Sequence, residues 1–418
     1  MKIYASGEQL QTNAAKNAQL IFDSINNHSK SLRHLNLEIH GNPETSYAEF
    51  QAHENIATFL ENNGAAVTRH AFGLQTSFLA EYGKGGRVVT FCAEYDALPD
   101  IGHGCGHNLI AVSSIAAFLG IVAVLQKFPL AGRVRLVGCP AEEGGGGKID
   151  LIRAGAFAEV DAALMMHPTP PVNQFLTEVA GISYGTCLST CAFEATFSGK
   201  AAHAAAMPWD GINALDAATL SYAAVGMLRQ HIKPSDRINI IMPEGGIAQN
   251  IIPDKSRVGY NVRSEKVSDM EALRVRVENC FKGAATATGC TLDLKRVMET
   301  YKEIRPNEAL CTEFSRYMKG LGQDFVCDLQ RRYLSAFSTD MGNVSYEVPS
   351  FHGNFSIPVE SGAALHTESF KDAAETTAAH DLAMGVAKGM AAAGLKVIID
   401  DLFAKQVKDD FEQDKMLR

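Results

Sequence analysis

The sequence has no surplus of basic charge. Its 38 Lys and Arg are outnumbered by 47 Asp and Glu, for a formal net charge of −9. That offers no surface to nucleic acid or anionic lipid and leaves a small molecule or peptide as the expected partner. A secretory signal is also missing. Residues 1–30 read as polar and helix-like, with no apolar core followed by a small-residue cleavage site. The nine cysteines, at 92, 105, 139, 187, 191, 280, 290, 311 and 327, follow no pairing framework. Such spacing suits buried thiols in a reducing compartment, so the cytoplasm is the expected location. Internal repeats, low-complexity tracts and long charged linkers are absent. One apolar stretch, "LIAVSSIAAFLGIVAVL" from Leu109 to Leu125, barely reaches the length of a membrane span and contains Ser113, Ser114 and Gly120. It reads as a buried core helix, and no membrane is expected as a partner.

What is present points to a large packed protein. Hydrophobic residues make up 46% and charged residues 20% of 418 positions, too many positions for one ordinary core, so two domains are expected. Three apolar runs, "RVVTFCAEYDALPD", "RVRLVGCPAEEGGGG" and "VDAALMMHPTP", each end abruptly in polar residues. Runs of this kind separated by helical stretches are buried strands of an α/β sheet, whose C-terminal ends place ligands. Between 187 and 301 the pattern changes to strand, helix, strand, strand, helix, strand, the βαββαβ order of a ferredoxin-like α+β domain. The expected organisation is a mixed-sheet α/β domain in two parts, 1–186 and 302–418, with 187–301 inserted. The tail "IIDDLFAKQVKDDFEQDKMLR" reads as a charged, solvated helix.

Chemistry gathers at the strand ends. In "HGCGHN" a thiol, Cys105, and an imidazole, His107, stand two residues apart in a glycine-rich turn. Alone they fit a metal pair, a nucleophile with its base, or an inert turn. Glu142 and Glu143 stand side by side before four glycines. They are either solvated at the surface or relieved by a cation, with one carboxylate binding and its neighbour free as a base. His167 after "ALMM" and His366 in "LHTESF" each read alone as satisfied structural histidines as readily as ligands. Together, Cys105, His107, Glu143, His167 and His366 offer donors suited to zinc, manganese or cobalt, enough for two adjacent ions. A nucleophilic Cys105 leaves the glutamates and His167 unexplained. "EEGGGGK" lacks the Lys-Ser/Thr spacing of a phosphate loop, which leaves Lys148 as a helix start.

The segments "EYDALPDIGHGCGHN", "PAEEGGGG", "MMHP", "FSGKAAHAAAMPWDGINALDAA", "GGIAQNIIPDK", "STDMGNVSYEVPSFHGNFS" and "LHTESF" resemble, in order and over roughly residues 15 to 395, the dimetal aminoacylase and carboxypeptidase family of metallopeptidases. Their closest likeness is to its aminobenzoyl-glutamate hydrolase and β-alanyl-lysine dipeptidase branch. The resemblance implies a metallo-exopeptidase catalytic domain with an inserted lid and dimerisation domain, two divalent ions and a homodimer formed through the lid. It carries Cys105, His107, Glu143, His167 and His366 over as metal ligands and Glu142 as the general base and acid. His203 would be a lid histidine that reaches the partner subunit's site and stabilises an oxyanion. Asn250 and Arg263 would hold a substrate carboxylate, a task suited to a guanidinium. Two positions depart from the family pattern. Asn108 stands where many relatives have Asp, leaving Asp96 to orient His107, and "STDMGNVS" at 338–345 replaces a Ser-Glu-Asp-Phe motif, a place for substrate choice to differ.

The expected reaction is hydrolysis of the amide of an N-acyl amino acid or a dipeptide-like substrate, with Glu142 taking a proton from water and delivering it to the leaving nitrogen. One alternative keeps the site and forms an amide, or acts on a nonstandard amide in biosynthesis. A more remote one is a binding scaffold without turnover, against which stand Glu142 and His203, since binding needs no base beside a metal.

Overall fold

The computed structural model describes residues 7–171 and 179–418, so residues 1–6 of the N-terminal stretch lie outside what is described. The chain divides into two compact units. The first comprises Met1–Thr186, Ile304–Tyr333 and Asn343–Arg418, the second Cys187–Glu303 and Leu334–Gly342.

Among the described residues of the first unit, eight strands form one mixed sheet. Their order is Ala66–Arg69, Phe78–Lys84, Gly132–Cys139, Arg87–Glu94, Ala162–Thr169, Ser350–Ser356, Gly181–Ile182 and Phe325–Val326. Arg87–Glu94 pairs in parallel with both Gly132–Cys139 and Ala162–Thr169, and Ser350–Ser356 runs parallel to Ala162–Thr169. The C-terminal ends of these central strands therefore share one edge, and the residues leaving them meet there. The strands read as near-continuous apolar runs because they are buried on both faces.

The stretch from Leu109 to Leu125 lies in the helix His107–Lys127, apolar all round and buried along nearly its whole length. Its two serines are satisfied locally, Ser113 donating to Ile110 O (3.1 Å) and Ser114 to Cys92 O (2.6 Å). At Gly120 a methyl group would meet Ile21 Cγ2 at 3.2 Å and Ala391 Cβ at 3.4 Å, so glycine lets the helices Gly7–Gly41 and Thr377–Ile399 approach closely. His107–Lys127 and Thr377–Ile399 are long and apolar enough to cross a membrane by length and composition, and both are largely buried inside this unit. The C-terminal helix Asp401–Lys415 is solvated on only one side. Phe403, Val407 and Phe411, four residues apart, are buried, and Arg305 donates through Nε to both carboxylate oxygens of Asp414 at 3.0 and 2.9 Å.

The second unit is a four-stranded antiparallel sheet in the order Thr291–Tyr301, Ser189–Ser198, Lys255–Ser264, Arg237–Glu244. With the helices Ala214–Leu228 and Val267–Thr288 it has the ferredoxin-like connectivity. Its separate core includes Phe193, Phe197, Val262 and Phe281. Sequence reasoning placed all of 302–418 in the first domain, but Leu334–Gly342 belongs to the second unit. Leu188 N–H donates to Phe337 O at 2.9 Å, and Arg263 Nη1 donates to Ser338 Oγ at 3.3 Å, so this segment packs beside the inserted strands.

Candidate metal centre

Each strand end contributes to one cluster in the first unit, buried apart from Glu143, partly exposed, and His366, half exposed. Cys105 lies in the turn after Arg87–Glu94, and His107 opens the following helix. Between them Gly106 adopts φ +79°, and a methyl group there would stand 2.6 Å from Pro168 Cγ. Only glycine turns the chain so tightly while leaving the thiol and imidazole side by side. Glu142 and Glu143 follow Ala141, whose φ is +59° and whose carbonyl accepts from Gly145 N (3.0 Å) and Gly146 N (2.8 Å). His167 lies within Ala162–Thr169, near its C-terminal end. His366, in a turn with φ +65°, donates its backbone N–H to Gly104 O at 2.9 Å, which ties it to the Cys105 turn.

His107 is the hub. Its Nδ1 stands 3.0 Å from Asp96 Oδ1, while Nε2 faces Glu94 Oε2 at 3.5 Å, Glu143 Oε1 at 3.7 Å and Glu142 Oε2 at 3.9 Å. Cys105 Sγ is 3.4 Å from His167 Nε2, and His366 Nε2 is 3.6 Å from Glu143 Oε1. Three overlapping groups, Cys105–His107–His167, Cys105–Glu143–His366 and Glu94–His107–Glu142, each bring their donor atoms within 4.8 Å of one another.

The electrostatics suit a bound cation. Burial pushes the Cys105 thiol well above its ordinary range, and the Glu143 charge pushes it further. His167 is held well below the usual imidazole range by burial and by His107, which keeps its nitrogen lone pair available. Burial also works against a charged His107, but Cys105 and Asp96 outweigh it and raise its basicity, while the same contact lowers the Asp96 carboxyl against its own burial. Glu94 Oε2, His107 Nε2 and Glu143 Oε1 are buried without a hydrogen-bond partner among the described residues. Buried polar atoms are costly to leave unpaired. A thiol, imidazoles and carboxylates at these separations fit divalent metal, since donors bound to one tetrahedral ion at ~2.0–2.3 Å lie about 3.3–3.7 Å apart.

The remaining sequence-predicted residues lie in the second unit. His203 is exposed, and its Nδ1 accepts from Ala205 N (3.3 Å) and Ala206 N (3.2 Å). Asn250 sits beside it, its carbonyl accepting from Ala204 N at 3.1 Å. Arg263, half-buried, donates to Asn261 Oδ1 (3.1 Å) and Ser338 Oγ (3.3 Å) and has no carboxylate partner among the described residues. Asn108 is structural, with Nδ2 donating to Asn36 Oδ1 (2.6 Å) and Ala374 O (3.1 Å).

A peptidase dimerisation domain model matches residues 189–288. The Xaa-Arg dipeptidase of Mus musculus is 38% identical over 402 residues, covering 93% of this chain and 91% of that protein. The chain belongs to the M20 peptidase family. It is a hydrolase of amide and peptide bonds. A p-aminobenzoyl-glutamate hydrolase chain of Escherichia coli (strain K12) is 28% identical, covering 90% of this chain and 91% of that one. Among solved structures, a Bacillus subtilis dinuclear metal binding peptidase of the M20 family shares the fold at a TM-score of 0.67 and 20% identity, over 89% of this chain and 99% of that one.

Three residues at this site escaped sequence reasoning. Glu94 forms a fully buried ion pair with Lys148. Glu49 accepts from Ala141 N (2.8 Å) and Thr76 Oγ1 (2.7 Å), fixing the turn that carries Glu142; burial and the nearby Asp96 push its carboxyl up to about 7. A Lys following four glycines was a signal for burial, since a helix begun inside a glycine-rich turn at a strand end has little solvent near it. Glu94 and Glu49 left none.

Proposed function

We propose that this hydrolase is a metal-dependent dipeptidase or aminoacylase, cleaving a dipeptide-like or N-acyl amino acid substrate with Glu142 as general base and acid. The observation that carries the reading is the set of orphaned donors, Glu94 Oε2, His107 Nε2 and Glu143 Oε1, in one buried cluster with Cys105 and His167. Cys105, His107, Glu143, His167 and His366 would hold two divalent ions, zinc, manganese or cobalt. When bound, these would polarise the amide carbonyl and acidify a water. Asp96 holds the His107 ring through Nδ1 and presents Nε2 to the site. Glu142, on a turn fixed by Glu49, takes the proton of the attacking water and returns it to the leaving nitrogen.

The second unit would supply the remaining groups. With His203 Nδ1 accepting two backbone N–H groups, the neutral ring carries its hydrogen on Nε2, the form that donates to a developing oxyanion. Arg263, without a carboxylate of its own, would bind the substrate's carboxylate together with Asn250. A homodimer through this unit is supported by its apolar exposure. Leu220, Tyr222 and Met227 project from the helix Ala214–Leu228, and Ile241 is two-thirds exposed on the edge strand Arg237–Glu244. All nine cysteines are thiols outside any disulfide, which suits a cytoplasmic location.

The test is release of amine from dipeptides ending in Arg or Lys, from aminobenzoyl-glutamate and from N-acyl amino acids, with zinc, manganese or cobalt added back. Metal-dependent release that falls by about a thousandfold in Glu142→Gln, with metal content retained, is expected. Loss of metal in that variant would make Glu142 a ligand instead, and no release from any substrate with metal bound would overturn the reading.

A further inference from the structure

Glu94 and Lys148 form an ion pair with no solvent exposure on either side chain. Stability alone does not account for it, since a buried pair generally gains nothing over apolar residues of the same size. Nor is the pair self-contained. Lys148 takes Glu94 Oε1, while Glu94 Oε2 has no hydrogen-bond partner among the described residues and points at His107 Nε2, itself an orphan, 3.5 Å away. With its Nδ1 hydrogen held by Asp96, the neutral His107 ring turns its Nε2 lone pair toward Glu94 Oε2, an arrangement a cation between them would satisfy, and 3.5 Å is the separation of two donors on one ion. Glu142 Oε2 closes the same group, 3.9 Å from His107 Nε2.

We propose that Glu94 is a metal ligand of this centre, its Oε2 joining His107 Nε2 on one ion and Lys148 holding the carboxylate in place. The inference rests on the two-metal reading above and adds a donor to the set of Cys105, His107, Glu143, His167 and His366. Position supports it. Glu94 ends the central strand Arg87–Glu94, two residues before Asp96, which orients the same imidazole. Charge supports it as well. Glu142, Glu143 and Asp96 already bring three carboxylates to the site, and a further bare carboxylate would add to their mutual repulsion. Paired with the Lys148 ammonium, Glu94 contributes an oxygen donor and no net charge.

The experiment measures metal per chain and affinity against a competing chelator, without substrate, for the wild type, Glu94→Gln, Lys148→Met and the double variant Glu94→Gln/Lys148→Met. The wild type is expected to bind two ions, and Glu94→Gln to bind one of them at least about tenfold more weakly. The double variant removes the ammonium that Glu94→Gln deprives of its counter-charge, so it recovers thermal stability lost in the single variant but not the lost metal affinity. Two ions held with wild-type affinity in Glu94→Gln, or affinity regained in the double variant, would reduce Glu94 to a structural partner of Lys148 and overturn the proposal. If the wild type binds no metal, the underlying two-metal reading fails first, a distinct result.

Discussion

Gly106 sets the spacing of the two donors on either side of it. Its left-handed backbone and the 2.6 Å approach a methyl group would make to Pro168 leave no room for a side chain. Gly106→Ala should therefore cost about 1–3 kcal/mol of stability and lower metal occupancy, as read by denaturant unfolding and metal analysis of the same preparation. Wild-type values for both would show that the turn tolerates a side chain. Arg263 acts, in the proposed function, on the substrate rather than the metal. Arg263→Ala should raise KM for a substrate with a free carboxylate by about tenfold or more while kcat changes little, because one charge-assisted contact common to ground and transition states is lost. An amidated analogue should show no such difference between wild type and variant. The two halves of the site were unequally legible in the sequence. Cys105, His107 and His167 are uncommon residue types at the ends of apolar runs. Glu94 is one carboxylate ending such a run, and its meaning depends on Lys148, 54 positions later. No local pattern carries that pairing.

The packing of helix on helix brings its own pH dependence. His380, on Thr377–Ile399, is buried against the N-terminal helix, with Nε2 3.1 Å from Ser29 O and Nδ1 3.4 Å from Asn36 Nδ2. Burial holds its pKa below the ordinary imidazole value. As pH falls below about 6.5 the unfolded chain takes up a proton that this buried ring refuses, so stability is fully present above that value and lost on acidification. Urea unfolding at pH 7.5 and 5.5 should show a smaller loss in His380→Gln than in the wild type. Equal losses would show that His380 does not contribute to the slope. At this scale most of the architecture was readable. The central strands are short apolar runs ending in polar residues, and the inserted unit has its own alternation of strand and helix. Two elements were misread for one reason. The C-terminal helix looked solvated because charged residues flank its buried Phe403, Val407 and Phe411, and Leu334–Gly342 looked continuous with its neighbours because only its long-range contacts assign it elsewhere.

For the whole molecule, the exposed apolar residues of the second unit make the oligomeric state testable. If the proposed homodimer forms through these faces, Met227→Glu combined with Ile241→Asp should convert dimers to monomers in sedimentation experiments, since two charges would be buried at a symmetric interface; a wild type that sediments as a monomer would overturn that part of the proposal. If His203 serves the partner's site, two inactive variants should complement each other. A dimer mixed from Glu142→Gln and His203→Ala chains contains one site with both groups intact. Random mixing should then restore about a quarter of wild-type turnover. No recovery, with mixed dimers demonstrated, would place His203 in its own subunit's site.

The backbone bond from His366 to Gly104, together with the position of Ser350–Ser356 beside Ala162–Thr169, makes the centre a product of two distant stretches of chain. A nascent polypeptide that has emerged only as far as residue 340 has Cys105, His107, Glu143 and His167 but neither the strand that completes the sheet nor the last imidazole. In the proposed function such a chain would already hold the donors Cys105, His107 and His167 yet lack His366 and the strand beside Ala162–Thr169, so hydrolytic competence would wait until synthesis is almost finished.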